Sequence, residues 1–258
     1  MKQEYASGYK LVNGLNMYYE IHGTGSPLVL IHGGGSTIYT TFGHVLPLFA
    51  RNRQVIGVEL QAHGHTQDRD APSSFEQDAD DVAALLEQLE IKSADIFGFS
   101  NGGQTALQVA IRHPEKVRKL IISSAGYKRA GYYPWFWEFL SKANIDAMPQ
   151  PLKDAYLAIN PNKEALQTMH DRDYYRMINL KDWSEDAIRS IKAPALVING
   201  DRDVVTVEHA LELYRLLPDA RLLIHTGVHG DFNGELCVGK GSMSPEASVE
   251  IIENFLND

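Results

Sequence analysis

Asp95-Ile96-Phe97-Gly98-Phe99-Ser100-Asn101-Gly102-Gly103-Gln104-Thr105 decides how the rest of the chain is read. It reads as a short buried strand, a sharp turn, and a helix running to about His113. Ser100 lies at the turn, flanked by Gly98 and Gly102 in the pattern G-x-S-x-G. A serine on so tight a strand-to-helix turn holds strained backbone, and the residues two before and two after must lack bulk for the chain to fold back. The same turn exposes the hydroxyl and aims the first helical N–H groups at whatever the serine attacks.

Upstream, Asn13-Gly14 is a hairpin signal between strands expected near Tyr9–Val12 and Met17–His22, antiparallel and at a sheet edge. Leu28-Val29-Leu30-Ile31 is a continuous apolar run, as in a strand covered on both faces, and it ends in His32-Gly33-Gly34-Gly35. A helix is predicted over Thr40–Ala50, then a strand over Val55–Val58. Ser73 as N-cap and Glu76 at N3 form a capping box for the next helix, on which Ala79, Val82, Ala83, Leu86 and Leu89 recur at helical spacing.

Downstream, strands are predicted at Lys119–Ser123, Ala195–Ile198 and Leu222–Ile224, with a helix over Val207–Leu217 between the last two. Ser244-Pro245-Glu246 opens a final helix with an N-cap, proline at N1 and an acid suited to the dipole. Strand and helix alternate, which gives an α/β fold: a mostly parallel sheet of about eight strands with helices on both faces. Residues 127–190 break the alternation. They look helical, are too long for one crossover helix, and open with Tyr127, Tyr132, Tyr133, Trp135, Phe136, Trp137 and Phe139.

Bulk properties narrow the function. A net charge of −9 over 258 residues argues against nucleic acid and against a polybasic membrane patch. Cys237 is the only cysteine, so neither an internal disulfide nor a cysteine zinc site is expected. Met1-Lys2-Gln3-Glu4-Tyr5 lacks the apolar run of a signal peptide, and no stretch approaches the roughly 18 apolar residues of a membrane span, so a cytoplasmic location is expected.

A serine hydroxyl needs a base within hydrogen-bond reach and an orienter behind that base. Asn199-Gly200-Asp201-Arg202-Asp203 offers two acids, and His225-Thr226-Gly227-Val228-His229-Gly230 offers two histidines. His63-x-His65 raises the question of a metal, but a binuclear metallohydrolase wants H-x-H-x-D-H and this chain has Gln67-Asp68 where Asp-His is required.

From about Leu11 to its last residue the chain resembles the α/β-hydrolase family. The resemblance implies the order serine, acid, histidine, with Ser100 as nucleophile, Asp203 selected by the family spacing G-x-x-D, and His229 selected by G-x-H. It places the oxyanion hole at the N–H groups of Gly34 and Asn101. It reads residues 127–190 as a helical cap (lid) inserted into a core domain of residues 1–126 and 191–258. Glu59, Ala62 and Thr66 stand where the family's D-x-x-G-x-G-x-S loop has its Asp, first Gly and Ser. Serine at the elbow separates the chain from the dehalogenases and epoxide hydrolases that use aspartate there. What remains is ester, thioester or lactone hydrolysis, carbon–carbon bond hydrolysis or perhydrolysis, or a hydrolase-fold ligand-binding protein with little turnover. The expectation is a serine hydrolase of a small ester or lactone, with no cofactor and no metal. Its partner is a small-molecule substrate, not nucleic acid or membrane; a homodimer is left open.

Overall fold

The computed structural model describes residues 5–238 and 241–258; the signal-peptide reading of Met1–Glu4 lies outside the described residues. Strands β1 (Tyr5–Val12) and β2 (Leu15–His22) form an antiparallel hairpin. Asn13 and Gly14 turn it with φ of 46° and 82°, the two positive angles that a tight primed turn requires. Next come β3 (Ser26–Ile31), α1 (Ile38–Phe42), α2 (Leu46–Phe49), β4 (Arg53–Val58), α3 (Phe75–Gln88), β5 (Ala94–Phe99), α4 (Asn101–Arg112) and β6 (Val117–Ser123). The inserted segment carries α5 (Pro134–Lys142), α6 (Gln150–Ile159), α7 (Lys163–Ile178) and α8 (Glu185–Arg189). The chain closes with β7 (Ala195–Arg202), α9 (Val207–Leu216), β8 (Ala220–Val228) and α10 (Pro245–Asn257).

The eight strands form one sheet in the order β1-β2-β4-β3-β5-β6-β7-β8, with β2 antiparallel to both β1 and β4 and the pairings from β4 to β8 parallel. Alternate residues of one strand serve opposite faces, as the two-residue period of a pleated strand demands. Val29 and Ile31 belong to one apolar layer with Val82 and Leu86 of α3, Leu107 of α4 and Leu213 of α9. Leu28 and Leu30 pack against α1, α2 and α10 through Phe42, Phe49, Ile252 and Phe255.

Two local expectations are corrected. The predicted Thr40–Ala50 helix is two short helices, because Pro47 has no N–H to bond the carbonyl of residue 43 and so sits in the first turn of a new helix. The N-cap of α3 is Ser74, whose hydroxyl accepts from Gln77 N–H, and not Ser73, whose hydroxyl donates to the Arg172 carbonyl instead.

The insertion rests on the core through two small apolar clusters. Tyr132, Met177 and Leu180 gather around Phe75 and Val205, and Tyr156, Leu166 and Met169 around Ala62. No helix among the described residues is long and apolar enough to cross a membrane.

Candidate active site

Ser100 sits between β5 and α4 with φ 53° and ψ −122°, a conformation that L-residues rarely adopt. Neighbouring glycines make it attainable. A Cβ on Gly98 would collide with the Gly102 carbonyl, and one on Gly102 with the carbonyls of Ile31 and His32. Ser100 N–H donates to the Ser123 carbonyl of β6 at 2.9 Å, which ties the turn to the neighbouring strand end.

The C-terminal ends of β5, β7 and β8 bring three distant residues together. His229 Nε2 lies 3.0 Å from Ser100 Oγ, and His229 Nδ1 lies 2.7 Å from Asp203 Oδ1. Asp203 is buried and amply satisfied: Oδ1 also accepts from Val204 N–H at 2.6 Å, and Oδ2 accepts from the Ser124 hydroxyl at 2.5 Å. Burial by itself would raise the Asp203 carboxyl, but the His229 charge and these donors outweigh it and hold it below the ordinary carboxylate range. Burial would likewise lower His229, yet the charge and hydrogen bond of Asp203, helped by Glu235, leave it raised. The Asp203 carboxylate fixes Nδ1 as the protonated nitrogen, so Nε2 is free to accept the Ser100 proton.

The competing residues have other occupations. Asp201, near the end of β7, accepts from Gly227 N–H of β8 at 2.9 Å and faces Arg202 at 3.7 Å. His225 is buried inside β8 with its ring on Phe232, centroids 5.5 Å apart.

The glycine loop after β3 is held from several sides. His32 is fully buried; its Nδ1 donates to the Gly33 carbonyl at 2.8 Å and its Nε2 accepts from Leu60 N–H at 3.1 Å. Burial, followed by the charge of His63, lowers its pKa to about 3, so the ring is neutral. Gly33 N–H donates to the Thr41 hydroxyl at 3.3 Å and Gly35 N–H to the Asp173 carboxylate at 2.5 Å. The N–H groups of Gly34 and Asn101 bond to no described residue.

Asp173, on α7 of the insertion, had no signal in the sequence. Besides Gly35 it takes hydrogen bonds from His63 Nε2 at 2.9 Å, Asn101 Nδ2 at 3.4 Å and the Arg176 guanidinium. His63 Nδ1 faces the Gln61 carbonyl at 2.8 Å, so both ring nitrogens face acceptors and the ring is an imidazolium. Burial opposes that charge; Asp173 more than restores it and raises the pKa. Arg176 also pairs with Asp78 of α3, making a buried line of alternating charge, His63–Asp173–Arg176–Asp78. Burial raises Asp78 to about 6 in spite of Arg176, whereas Asp173, buried too, is held well below its usual range by His63 and Arg176.

His65 turns to a different acid, with its Nδ1 at 2.9 Å from Glu59. The altered loop closes in its own way: Ala62 takes φ 68°, and Thr66 donates to the Glu59 carbonyl at 2.8 Å. Among the described residues no group of three or more His, Cys, Asp or Glu side chains is arranged to hold a metal ion.

A cavity of about 340 Å³ opens between the glycine loop and the insertion, lined by Gly34, Asn101, Phe136, Phe139, Met148 and Tyr174 among others. A larger hollow of about 650 Å³ lies between the start of α3 and α7; neither lining includes Ser100, Asp203 or His229, and the larger one also lacks Gly34 and Asn101. The smaller one, which reaches Asn101 and the free Gly34 N–H, is the better candidate for substrate.

Comparison with known proteins finds relatives among hydrolases of this fold. The family profile of the alpha/beta hydrolase fold matches residues 26–146. A 2-hydroxymuconate semialdehyde hydrolase of Pseudomonas sp. (strain CF600) is 32% identical over 223 residues, covering 78% of this chain and 78% of that protein. Among solved structures, a serine hydrolase involved in carbazole degradation superposes with a TM-score of 0.80 at 23% identity, over 98% of this chain and 99% of that one. An enzyme that degrades N-acyl homoserine lactones has a TM-score of 0.73 at 25% identity, over 94% of this chain and 98% of that one.

Proposed function

The chain belongs to the α/β-hydrolase family and is a hydrolase, and from that premise we propose that it cleaves a small neutral ester or lactone through an acyl-enzyme intermediate. The observation that carries this reading is the pair of hydrogen bonds, 3.0 Å and 2.7 Å, that link Ser100 to His229 and His229 to Asp203. His229 takes the Ser100 proton as Oγ attacks the acyl carbon, and Asp203 stabilises the imidazolium that forms. The uncommitted N–H groups of Gly34 and Asn101 receive the oxyanion. His229 then returns its proton to the departing alkoxide, and a water activated by the same ring releases the acid. Water is the only co-reactant these steps need.

Residues 127–190 act in this reading as the cap that bounds the acyl site, with Phe136, Phe139 and Met148 as its apolar wall. A second reading, carbon–carbon bond hydrolysis, is favoured by the relative whose name specifies a muconate semialdehyde. A muconate is a carboxylate, and the cavity lining includes neither lysine nor arginine among the described residues, His170 being its one basic side chain, while the Asp173 carboxylate there is already paired with His63 and Arg176. The lack of a lysine or arginine to pair a substrate carboxylate favours a neutral substrate.

The test is a fluorophosphonate probe with mass mapping, followed by a panel of p-nitrophenyl esters and lactones. Labelling at Ser100, lost with activity in Ser100→Ala, is expected. Labelling elsewhere in active protein, or an active Ser100→Ala variant, overturns the reading.

A further inference from the structure

We propose that Asp173 is a positioning residue for the oxyanion-binding loop, supplied by the inserted helices and kept in place by the His63 imidazolium. This rests on the reading of Gly34 N–H as an oxyanion donor. A donor contributes to catalysis only if its direction is set before the charge develops. Two peptide planes decide the direction of Gly34 N–H. The plane that contains it also contains the Gly33 carbonyl, which accepts from His32 Nδ1 at 2.8 Å. The next plane, joining Gly34 to Gly35, is held at its N–H end by Asp173 at 2.5 Å and at its carbonyl end by the Ser36 hydroxyl at 3.4 Å. Gly35 has φ 66°, so a shift of that second plane swings Gly34 with little steric resistance.

Asp173 is the only one of these anchors that comes from the insertion. It reaches both halves of the candidate oxyanion site, because the Asn101 side chain also donates to it at 3.4 Å. A carboxylate beside a developing oxyanion would repel it if left unpaired. Here His63 and Arg176 each place a positive charge on it, and Asp78 of α3 in turn faces Arg176. The neutral His32 ring lies beside His63 with centroids 4.7 Å apart. The carboxylate therefore holds the loop while its charge is neutralised on the side away from the cavity.

Asp173→Asn keeps the volume but presents an amide N–H to at least one of the surrounding donors and leaves His63 without its counterion. His63→Gln keeps a donor to Asp173 and removes the charge. Wild type and both variants are compared by the fluorophosphonate labelling rate of Ser100, by kcat and KM for p-nitrophenyl acetate, and by melting temperature. Displacing a catalytic group by about 1 Å costs roughly 10²-fold, so labelling rate and kcat of Asp173→Asn should fall by about 10- to 100-fold with KM within about threefold. The His63→Gln variant should fall in the same sense, and it decides the matter if Asp173→Asn does not fold. Wild-type kcat and labelling rate in a folded variant, with only the melting temperature lowered, overturns the proposal, as does a change confined to KM. Absence of labelling at wild-type Ser100 sinks the underlying reading itself, a result distinct from normal labelling that Asp173→Asn leaves untouched.

Discussion

Ser100, Asp203 and His229 each lie at a strand end, where a short local pattern fixes the backbone, and that is why the sequence singles them out as candidates. Gly98 and Gly102 are forced by collisions that any residue with a Cβ would meet, so their spacing carries structural information by itself. The choice between Asp201 and Asp203 needed the family spacing, since two carboxylates one residue apart are alike in composition. Asp203→Asn should lower kcat by about 10⁴ by reversing the imidazole tautomer, whereas Asp201→Asn gives up one partly exposed hydrogen bond of about 1 kcal/mol and should lower it less than about tenfold. Equal losses in steady-state assays would reassign the acid. The raised His229 pKa sets the sign of the pH effect. A base must be neutral to act, so activity is full above the folded-state pKa and is lost as pH falls through it. The acid limb of kcat/KM should thus be centred above the ordinary histidine value of about 6.5, and a midpoint below that in a pH series would contradict the pairing with Asp203. Asp173 and His63 stayed hidden because nothing local joins them: in His170-Asp171-Arg172-Asp173 the acid reads as one more charge on a solvated helix.

At the scale of elements, sequence pattern located every strand, and for β1, β2, β3, β4 and β6 its last residue too, but not the full extent, which is set by neighbours. β8 extends from Ala220 to Val228, well beyond the apolar Leu222–Ile224, because β7 pairs with it along that length. Helix α5 shows how one turn divides its labour. Trp135 is 54% exposed, Phe136 and Phe139 line the cavity, and Trp137 donates from Nε1 to the Arg129 carbonyl at 3.0 Å under the Arg129 guanidinium. Trp135→Ala should change neither melting temperature nor substrate preference. Trp137→Ala should lower the melting temperature, by less than the 3–5 kcal/mol equivalent of a fully buried aromatic, since the ring is only partly buried. Phe136→Ala should shift kcat/KM between short and long esters. Equal preference in all three variants would remove α5 from the substrate site.

Across the whole molecule, two of the buried charge clusters among the described residues join elements far apart in sequence. Arg53 of β4 contacts Asp95 of β5 at 3.2 Å and Glu253 of α10 at 2.7 Å, while Arg118 of β6 reaches Asp95 at 2.8 Å. Asp95→Ala strips two arginines of one carboxylate at a fully buried position and should cost about 3 kcal/mol, the low end for a broken buried pair because Arg53 keeps Glu253. A urea midpoint unchanged from wild type would show the cluster to be dispensable. The other buried line, His63–Asp173–Arg176–Asp78, crosses from the core loops through α7 and back to α3. It means that the inserted helices are not an interchangeable module. Grafting this segment onto another scaffold would carry Asp173 and Arg176 into the recipient without their partners, and exchanging it for one that lacks an acid and an arginine at positions 173 and 176 would strand the His63 imidazolium and the Asp78 carboxylate in this core. Any recombination that aims to broaden substrate range has to carry both contact residues across the splice, or neutralise their partners on the host.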